Sequence, residues 1–353
     1  MDELDLIARY FAPLAADGAF SLQDDAACYA CPPDKQLVVT HDALTENVHF
    51  LPTTEPADIA AKLFAVNLSD LAAKAAEPAA CLLTFAPHKA VSPDWVAAFA
   101  TETGRQLKQW DIALLGGDTI AMPQGSFFAL TLWGLVAPNT MVRRAGAQMG
   151  DDVYVSGTIG KGWLGLRDAK ENIKQDVKEN VKQDIKQNAP QNIKQNIKQN
   201  DQQNAKQNIK AKKTIYQCHY ERPEPRLALG LALRPYIHAA TDISDGLLAD
   251  LTHICTASAL GMTIQLEAIP FADKASELRD FLITGGDDYE LIFTAPPQNR
   301  ASIEACAIQT DSAISRIGQV IAGKEVVFLD AQGQKLKQQG QSPKYKGWQH
   351  FDN

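Results

Sequence analysis

The chain has 353 residues, enough for two domains, and its 45% hydrophobic and 22% charged content is that of a folded globular protein. A formal net charge of -8 argues against a surface for nucleic acid or anionic membrane. No apolar run reaches the roughly 20 residues of a spanning helix, and Met1–Leu14 has three acids and no basic leader, so the expected location is the cytoplasm.

In chain order, Cys28 and Cys31 form a lone C-x-x-C with no second ligand pair, so the six cysteines read as reduced thiols. Leu37–Thr40 reads as a strand that runs into His41 and Asp42. Ala57–Ala76 is a helical segment on which Asn67 and Asp70, three residues apart, point the same way, as a wet face or as part of a site. Strands follow at 112–115, running into Gly116-Gly117-Asp118-Thr119, then at 127–135 and at 153–155 after the Arg143-Arg144 turn. From Asn172 to Ala211 the chain falls into ten tetrads of the kind Asn-Ile-Lys-Gln. A four-residue period drifts by about 40° per repeat on a helix, so its single Ile or Val cannot form one buried stripe. Pro190 also breaks any continuous helix. The repeat is therefore expected to be an exposed insertion, disordered or only partly helical, that the fold does not need. Beyond it, 238–241 leads into Asp242-Ile243-Ser244-Asp245-Gly246 and a helix from about Leu247, with later strands at 262–266, 290–294, 316–320 and 326–329. The whole is a mixture of α and β layers.

Aspartates recur at the ends of these elements beside Gly and Ser, with Ser-Asp at 69–70 and 244–245 and Gly-Gly-Asp at 116–118 and 285–287. Singly, each has an ordinary reading as a cap or turn residue. If they converge, two carboxylates about 4 Å apart repel by about 4 kcal/mol at an effective dielectric near 20. Such a cluster calls for cations. Carboxylates with water suit Mg²⁺, which takes its remaining ligands from substrate phosphates, and adjacent glycines let backbone N–H groups approach those phosphates.

The words QDDAA, THDALTENVHF, AVNLSDLAAKAAEP, LLGGDT, RRAGAQMGD, RPEPR, TDISDGLLADL, GGDDYELIFT and YKGW, in this order, make the chain resemble the bacterial thiamine-monophosphate kinases. These are relatives of aminoimidazole ribonucleotide synthetase, and the match covers nearly everything but the tetrads. The resemblance implies an α+β, two-domain aminoimidazole ribonucleotide synthetase-like fold. An N-terminal ATP- and Mg²⁺-binding dimerisation domain would span 1–140 and a C-terminal domain 141–353, interrupted by the insertion at about 168–216. It implies a homodimer, and ATP-dependent phosphorylation of thiamine monophosphate to thiamine diphosphate with several Mg²⁺ ions. Matching positions imply metal contacts at Asp24, Thr40, His41, Asp42, Asp70, Asp118, Asp242 and Asp245. They imply ATP contacts at Gly117, Asp118, Arg144 and Ser244, and substrate contacts at His49, Asp287 and Tyr345. Three positions depart from the family's usual pattern: Gln23 for glycine, His41 for threonine and Asp287 for glutamate.

Other readings remain at this stage. Gly160-Lys161-Gly162-Trp163-Leu164-Gly165 fits G-x-G-x-x-G, but the confirming acid about 20 residues on would fall inside the tetrads, so these glycines are expected to shape a turn and helix start. No G-x-x-x-x-G-K-[ST] word occurs. A metal-dependent phosphohydrolase, a sister enzyme with another small acceptor and a nucleotide-binding protein without turnover are the alternatives.

Overall fold

The computed structural model describes residues 2–188 and 213–336, with side chains of 175–188 left aside. Pro190, most of the tetrads and Tyr345 with its YKGW word lie outside the described residues.

The chain opens with a one-turn helix, α1 (Glu3–Leu6), and irregular turns. β1 (Gln36–Thr45) leads to α2 (Pro56–Ala73), then come β2 (Glu77–Ala86), α3 (Pro93–Trp110), β3 (Ala113–Thr119) and β4 (Phe127–Val136). The second half runs β5 (Asp152–Ser156), α4 (Lys161–Asn188), α5 (Ile215–Glu221), α6 (Leu227–Leu233), β6 (Ala239–Asp242) and α7 (Leu247–Ser258). It closes with β7 (Gly261–Gln265), α8 (Arg279–Thr284), β8 (Leu291–Ala295), α9 (Arg300–Gln309), β9 (Ile314–Ile321) and β10 (Val326–Leu329). β1 to β4 form a four-stranded sheet in the order β1-β4-β2-β3, and β5 to β10 a six-stranded sheet in the order β10-β7-β9-β5-β8-β6. Both sheets are mixed, with β2–β3 and β10–β7 parallel and the other pairs antiparallel.

Nine expected strands lie close to where the sequence reading put them, and β2 is an addition. Asp42 and Asp118 stand inside β1 and β3, not beyond their ends. The helix expected over Ala57–Ala76 starts at Pro56, whose missing N–H costs nothing in the first turn. This α2 has no wet face along most of its length, because it packs on β1 and β4 of the first sheet, on β6 and β8 of the second, and on α3 and α6. Even Lys62, Asn67 and Ser69 are buried.

Alternation along the strands explains the cores. Tyr154, Leu291 and Phe293 join the core shared with α2, while their neighbours Val153, Val155 and Ile292 join a second core under α7. The six-stranded sheet is thus covered on both faces, which makes β5 and β8 buried throughout. The four-stranded sheet is covered by helices on one face only. On the other, Leu37, Val39 and Leu82 are 43%, 61% and 40% exposed.

α4 continues through the first tetrads to Asn188, so the repeat begins as helix. Its root is held by Asn172, whose amide donates to Gln217 at 2.8 Å, and by Thr214, which donates to Asp168 at 2.7 Å and caps α5. Lys213 pairs with Asp58 and Glu221, and Arg222 with Asp58 and Glu102, tying α5 to α2 and α3.

Candidate active site

A cavity of about 730 Å³ opens between the two sheets. β1 delivers Asp42 to it, α2 Asp70, and the end of β6 Asp242, followed by Ser244 and Asp245. Arg144 lines it from the segment linking the sheets, His49 from the β1–α2 connection, and Asp287 and Tyr289 from the loop before β8. Thr40, two residues before Asp42 and on the same strand face, donates its hydroxyl to Asp70. Seven of the residues expected from sequence line this one cavity directly besides His49: Asp42, Asp70, Arg144, Asp242, Ser244, Asp245 and Asp287.

The others stand apart. His41 lies between Thr40 and Asp42 on the opposite strand face, where its Nδ1 is 2.8 Å from the Thr131 hydroxyl. Thr131 lines a second cavity of about 720 Å³, together with Asp24, Gly117 and Asp118. Register places Asp42, Leu130, Leu83 and Gly117 in one row across the four strands. Asp118 therefore lies about 14 Å from Asp42 across three strand spacings, and on the other face of the sheet. Within one chain these two carboxylates cannot share an ion. Gly117 has φ +157, and a Cβ there would sit 1.8 Å from the Leu83 carbonyl oxygen, so only glycine fits the β2–β3 approach.

The site is held by hydrogen bonds between its own words. Ser69 donates to Asp242 at 2.7 Å, joining the first Ser-Asp word to the aspartate before the second. The Asp42 N–H donates to Asn67 at 3.1 Å, and the Asn67 amide to the Leu63 carbonyl at 2.9 Å, so Asn67 spends both ends on positioning β1 against α2. Arg144 donates to Thr241 at 3.0 Å and Lys74 to the Ala240 carbonyl at 3.1 Å. The Asp287 N–H donates to the Ser244 carbonyl at 3.0 Å and the Tyr289 N–H to that of Ile243 at 2.8 Å, strapping the Gly-Gly-Asp loop to the Ser-Asp loop. Asp287 itself sits at φ +66. The Thr45 N–H donates to His49 Nδ1 at 3.1 Å, which leaves Nε2 as the protonated nitrogen of the neutral ring.

Crowding of negative charge marks the cavity. Burial first, then Asp70 and Asp245, pushes the Asp42 carboxyl up to about 7. Burial, then Asp70 and Asp250, raises Asp242 well above the carboxylate range despite the Ser69 hydrogen bond. Lys74 is driven down to about 8 by burial, which outweighs the pull of Asp242. Carboxyls raised by burial and by one another mark a site that calls for added positive charge. Among the described residues, the trio of acid and imidazole donors within 4.8 Å of one another is Asp245, Asp250 and His253. Asp42, Asp70 and Asp242 are spread wider, an arrangement suited to a hydrated cation that takes substrate oxygens as its other ligands.

The glycines of the G-x-G-x-x-G word shape a turn and a helix start, as the sequence implies. Gly160 (φ +94) and Gly162 give their N–H groups to the buried Asp288 at 2.7 and 2.9 Å as α4 begins. Sequence reading missed Lys62, Asn67 as a buried brace, and Asp250 with His253. Asp250 and His253 stand at helical i, i+3 spacing from each other, a signal that was present.

Residues 23–136 match the N-terminal domain, and residues 148–330 the C-terminal domain, of the AIR synthase related proteins. Together the two matches span most of the chain and place it in that class. The chain is 33% identical over 314 residues to the thiamine-monophosphate kinase of Haemophilus influenzae, covering 86% of this chain and 84% of that one. The crystal structure of thiamine-monophosphate kinase from Stenotrophomonas maltophilia superposes with a TM-score of 0.73 at 34% identity, covering 93% and 96% of the two chains. AaThiL complexed with AMPPCP and TMP superposes with a TM-score of 0.69 at 25% identity, covering 93% and 91%. The chain belongs to the thiamine-monophosphate kinase family.

Proposed function

We propose that this protein transfers the γ-phosphoryl group of ATP to the phosphate of thiamine monophosphate, giving thiamine diphosphate and ADP. The observation that carries the reading is the cavity itself, where four aspartates from β1, α2 and the β6–α7 turn surround one space with Arg144 and Ser244. The pairing of AMPPCP, an ATP analogue, with TMP in AaThiL supports the choice of substrates. A phosphate monoester is largely ionised near neutral pH, so the attacking oxygen needs no strong base. One O–P bond forms as the bond between the γ-phosphorus and the β,γ-bridging oxygen breaks, and ADP carries away that oxygen. The protein's part is to hold the two anions in line and offset their charge.

In this reading Asp42, Asp70, Asp242 and Asp245, with Thr40 beside Asp70, hold the metal ions, and Arg144 and Ser244 meet ATP. Their donor chemistry fits Mg²⁺, which when bound would neutralise the charge that builds between donor and acceptor. His49 and Asp287, together with Tyr345 from beyond the described residues, face the acceptor. Asp24, His41 and Asp118 as metal contacts, and Gly117 as an ATP contact, belong to the proposal through the second cavity. That cavity shares the open sheet face with Leu37, Val39 and Leu82, and we propose that two copies pair across it. The domain division at residues 140 and 141 is likewise proposed. No described helix is long and apolar enough to cross a membrane, in keeping with a proposed cytoplasmic enzyme.

The test is product formation from ATP, Mg²⁺ and thiamine monophosphate, with free-thiamine and no-acceptor controls. Thiamine diphosphate formed only with the monophosphate supports the reading. Phosphate release without acceptor would replace it with a phosphohydrolase, and ATP binding without diphosphate would move the search to another acceptor.

A further inference from the structure

Lys62 lies in the middle of α2 and is 1% exposed, so its ammonium group is buried. A buried cation is strongly unfavourable unless paired, and a methionine or leucine would fill the same space without that penalty. Its partners show what the charge is for. Nζ donates to the His49 carbonyl at 2.9 Å, stands 3.5 Å from Asp287 Oδ2, and sits 3.8 Å over the centre of the Tyr220 ring. The Tyr220 hydroxyl donates to the same His49 carbonyl at 3.0 Å. The other Asp287 oxygen takes the Tyr289 hydroxyl at 2.9 Å, so the carboxylate is held from both sides. His49 and Asp287 line the cavity, whereas Lys62 and Tyr220 lie behind its wall.

We propose that Lys62 is a positioning residue for acceptor recognition, fixing the Asp287 carboxylate and the His49 main chain in one register, with Tyr220 as its support. The proposal deepens the kinase reading and rests on its placing of His49 and Asp287 at the acceptor. It also bears on the family departure at 287. An aspartate is one methylene shorter than glutamate, and here its reach is set by a fixed cation behind it and by a backbone held at φ +66. Tyr220 belongs to α5, the helix that resumes the described chain after the repeat. The clamp thus joins that helix, α2 and the Gly-Gly-Asp loop at one point.

Lys62→Met keeps the length and apolar stem of the side chain and removes its charge. Steady-state kinetics with each substrate varied should show the KM for thiamine monophosphate raised on the order of tenfold, the KM for ATP within about twofold, and the melting temperature little changed. Lys62→Arg should recover part of the loss. An unchanged acceptor KM in folded Lys62→Met overturns the proposal, as does a rise in both KM values together with a fallen melting temperature. If Lys62→Met does not fold, Tyr220→Phe reads the same clamp, because it keeps the ring and removes only the hydroxyl from the His49 carbonyl. Its acceptor KM should rise about threefold, and no change overturns the clamp. A wild-type protein that makes no thiamine diphosphate refutes the kinase reading alone. The clamp is then read by direct titration of thiamine monophosphate into wild type and Lys62→Met, and equal or absent binding in both refutes it.

Discussion

Replacing Asp42 by asparagine should stabilise the metal-free protein while crippling the enzyme, two effects of opposite sign from one charge. Asp42 goes from an ordinary carboxylate value of 3.8 to about 7 in the fold, driven by burial and then by Asp70 and Asp245. At about 1.4 kcal/mol per unit, keeping it ionised in the fold costs about 4 kcal/mol. Relaxation of the protein and water entering the cavity lower that cost. The folded state keeps its proton up to about pH 7, whereas the unfolded chain releases it near pH 4. Stability conferred by that proton is therefore complete below pH 4, declines as pH rises toward 7, and is gone above it. Asparagine has no proton to lose, so this part of the decline disappears. Urea denaturation in EDTA should find Asp42→Asn about 2 kcal/mol more stable than wild type at pH 8, with the gap closing toward pH 4. Added Mg²⁺ should stabilise wild type more than the variant, and turnover of the variant should fall by about a hundredfold or more. A variant less stable than wild type at pH 8 in EDTA would refute the argument from crowded charge.

Glu290→Gln should destabilise the protein by about 3 kcal/mol near neutral pH in urea denaturation. It breaks a buried bidentate pair with Arg226, both bonds 2.7 Å, and weakens the hydrogen bond from Ser156. Burial pushes the Glu290 carboxyl up, but Arg226 outweighs it and holds the group below its usual range. Its stabilisation is thus present above that range and lost in acid, and the deficit of the variant should shrink as pH falls below about 4. Excising residues 176–210 and joining the ends by a short Gly-Ser linker spares the Asn172–Gln217 and Lys213 contacts. It should leave kcat within about twofold and the melting temperature nearly unchanged, and a large loss of turnover in folded protein would show that the repeat takes part. Val39→Asp, on an exposed position of the open sheet face, should convert a dimer to monomer in sedimentation velocity with the fold intact by circular dichroism. A dimer that survives it unchanged places the interface elsewhere.

Local pattern determined a good deal. Nine strands, the start of α7 after the Ser-Asp-Gly word, and the helical spacing of Asn67 and Asp70 were legible because period and turn chemistry are local. β2 was missed because Glu77–Ala86 carries the alanine-rich composition of the preceding helix across Pro78 into a strand. α3 was passed over although Ser92 and Pro93 announce it, the serine capping the Trp95 N–H at 3.2 Å.

The ordered words also gave the family and the cluster of acids, but not which acids meet. Side-chain parity along β1 separates His41 from Thr40 and Asp42, yet sequence does not say which face a helix will cover. Only the pairing of β1 with β4, and of β2 with both β4 and β3, puts Asp118 and Asp42 on opposite faces of the sheet. Lys62 shows the same limit, since a lysine on a helix reads as solvated until two sheets close over it. Composition and period are written in neighbouring residues, so the sequence by itself determined the elements and the supply of aspartates. Burial, strand register and charge crowding depend on residues far apart in the chain, so the tertiary structure alone decided which side chains share the cavity and what stands behind its wall.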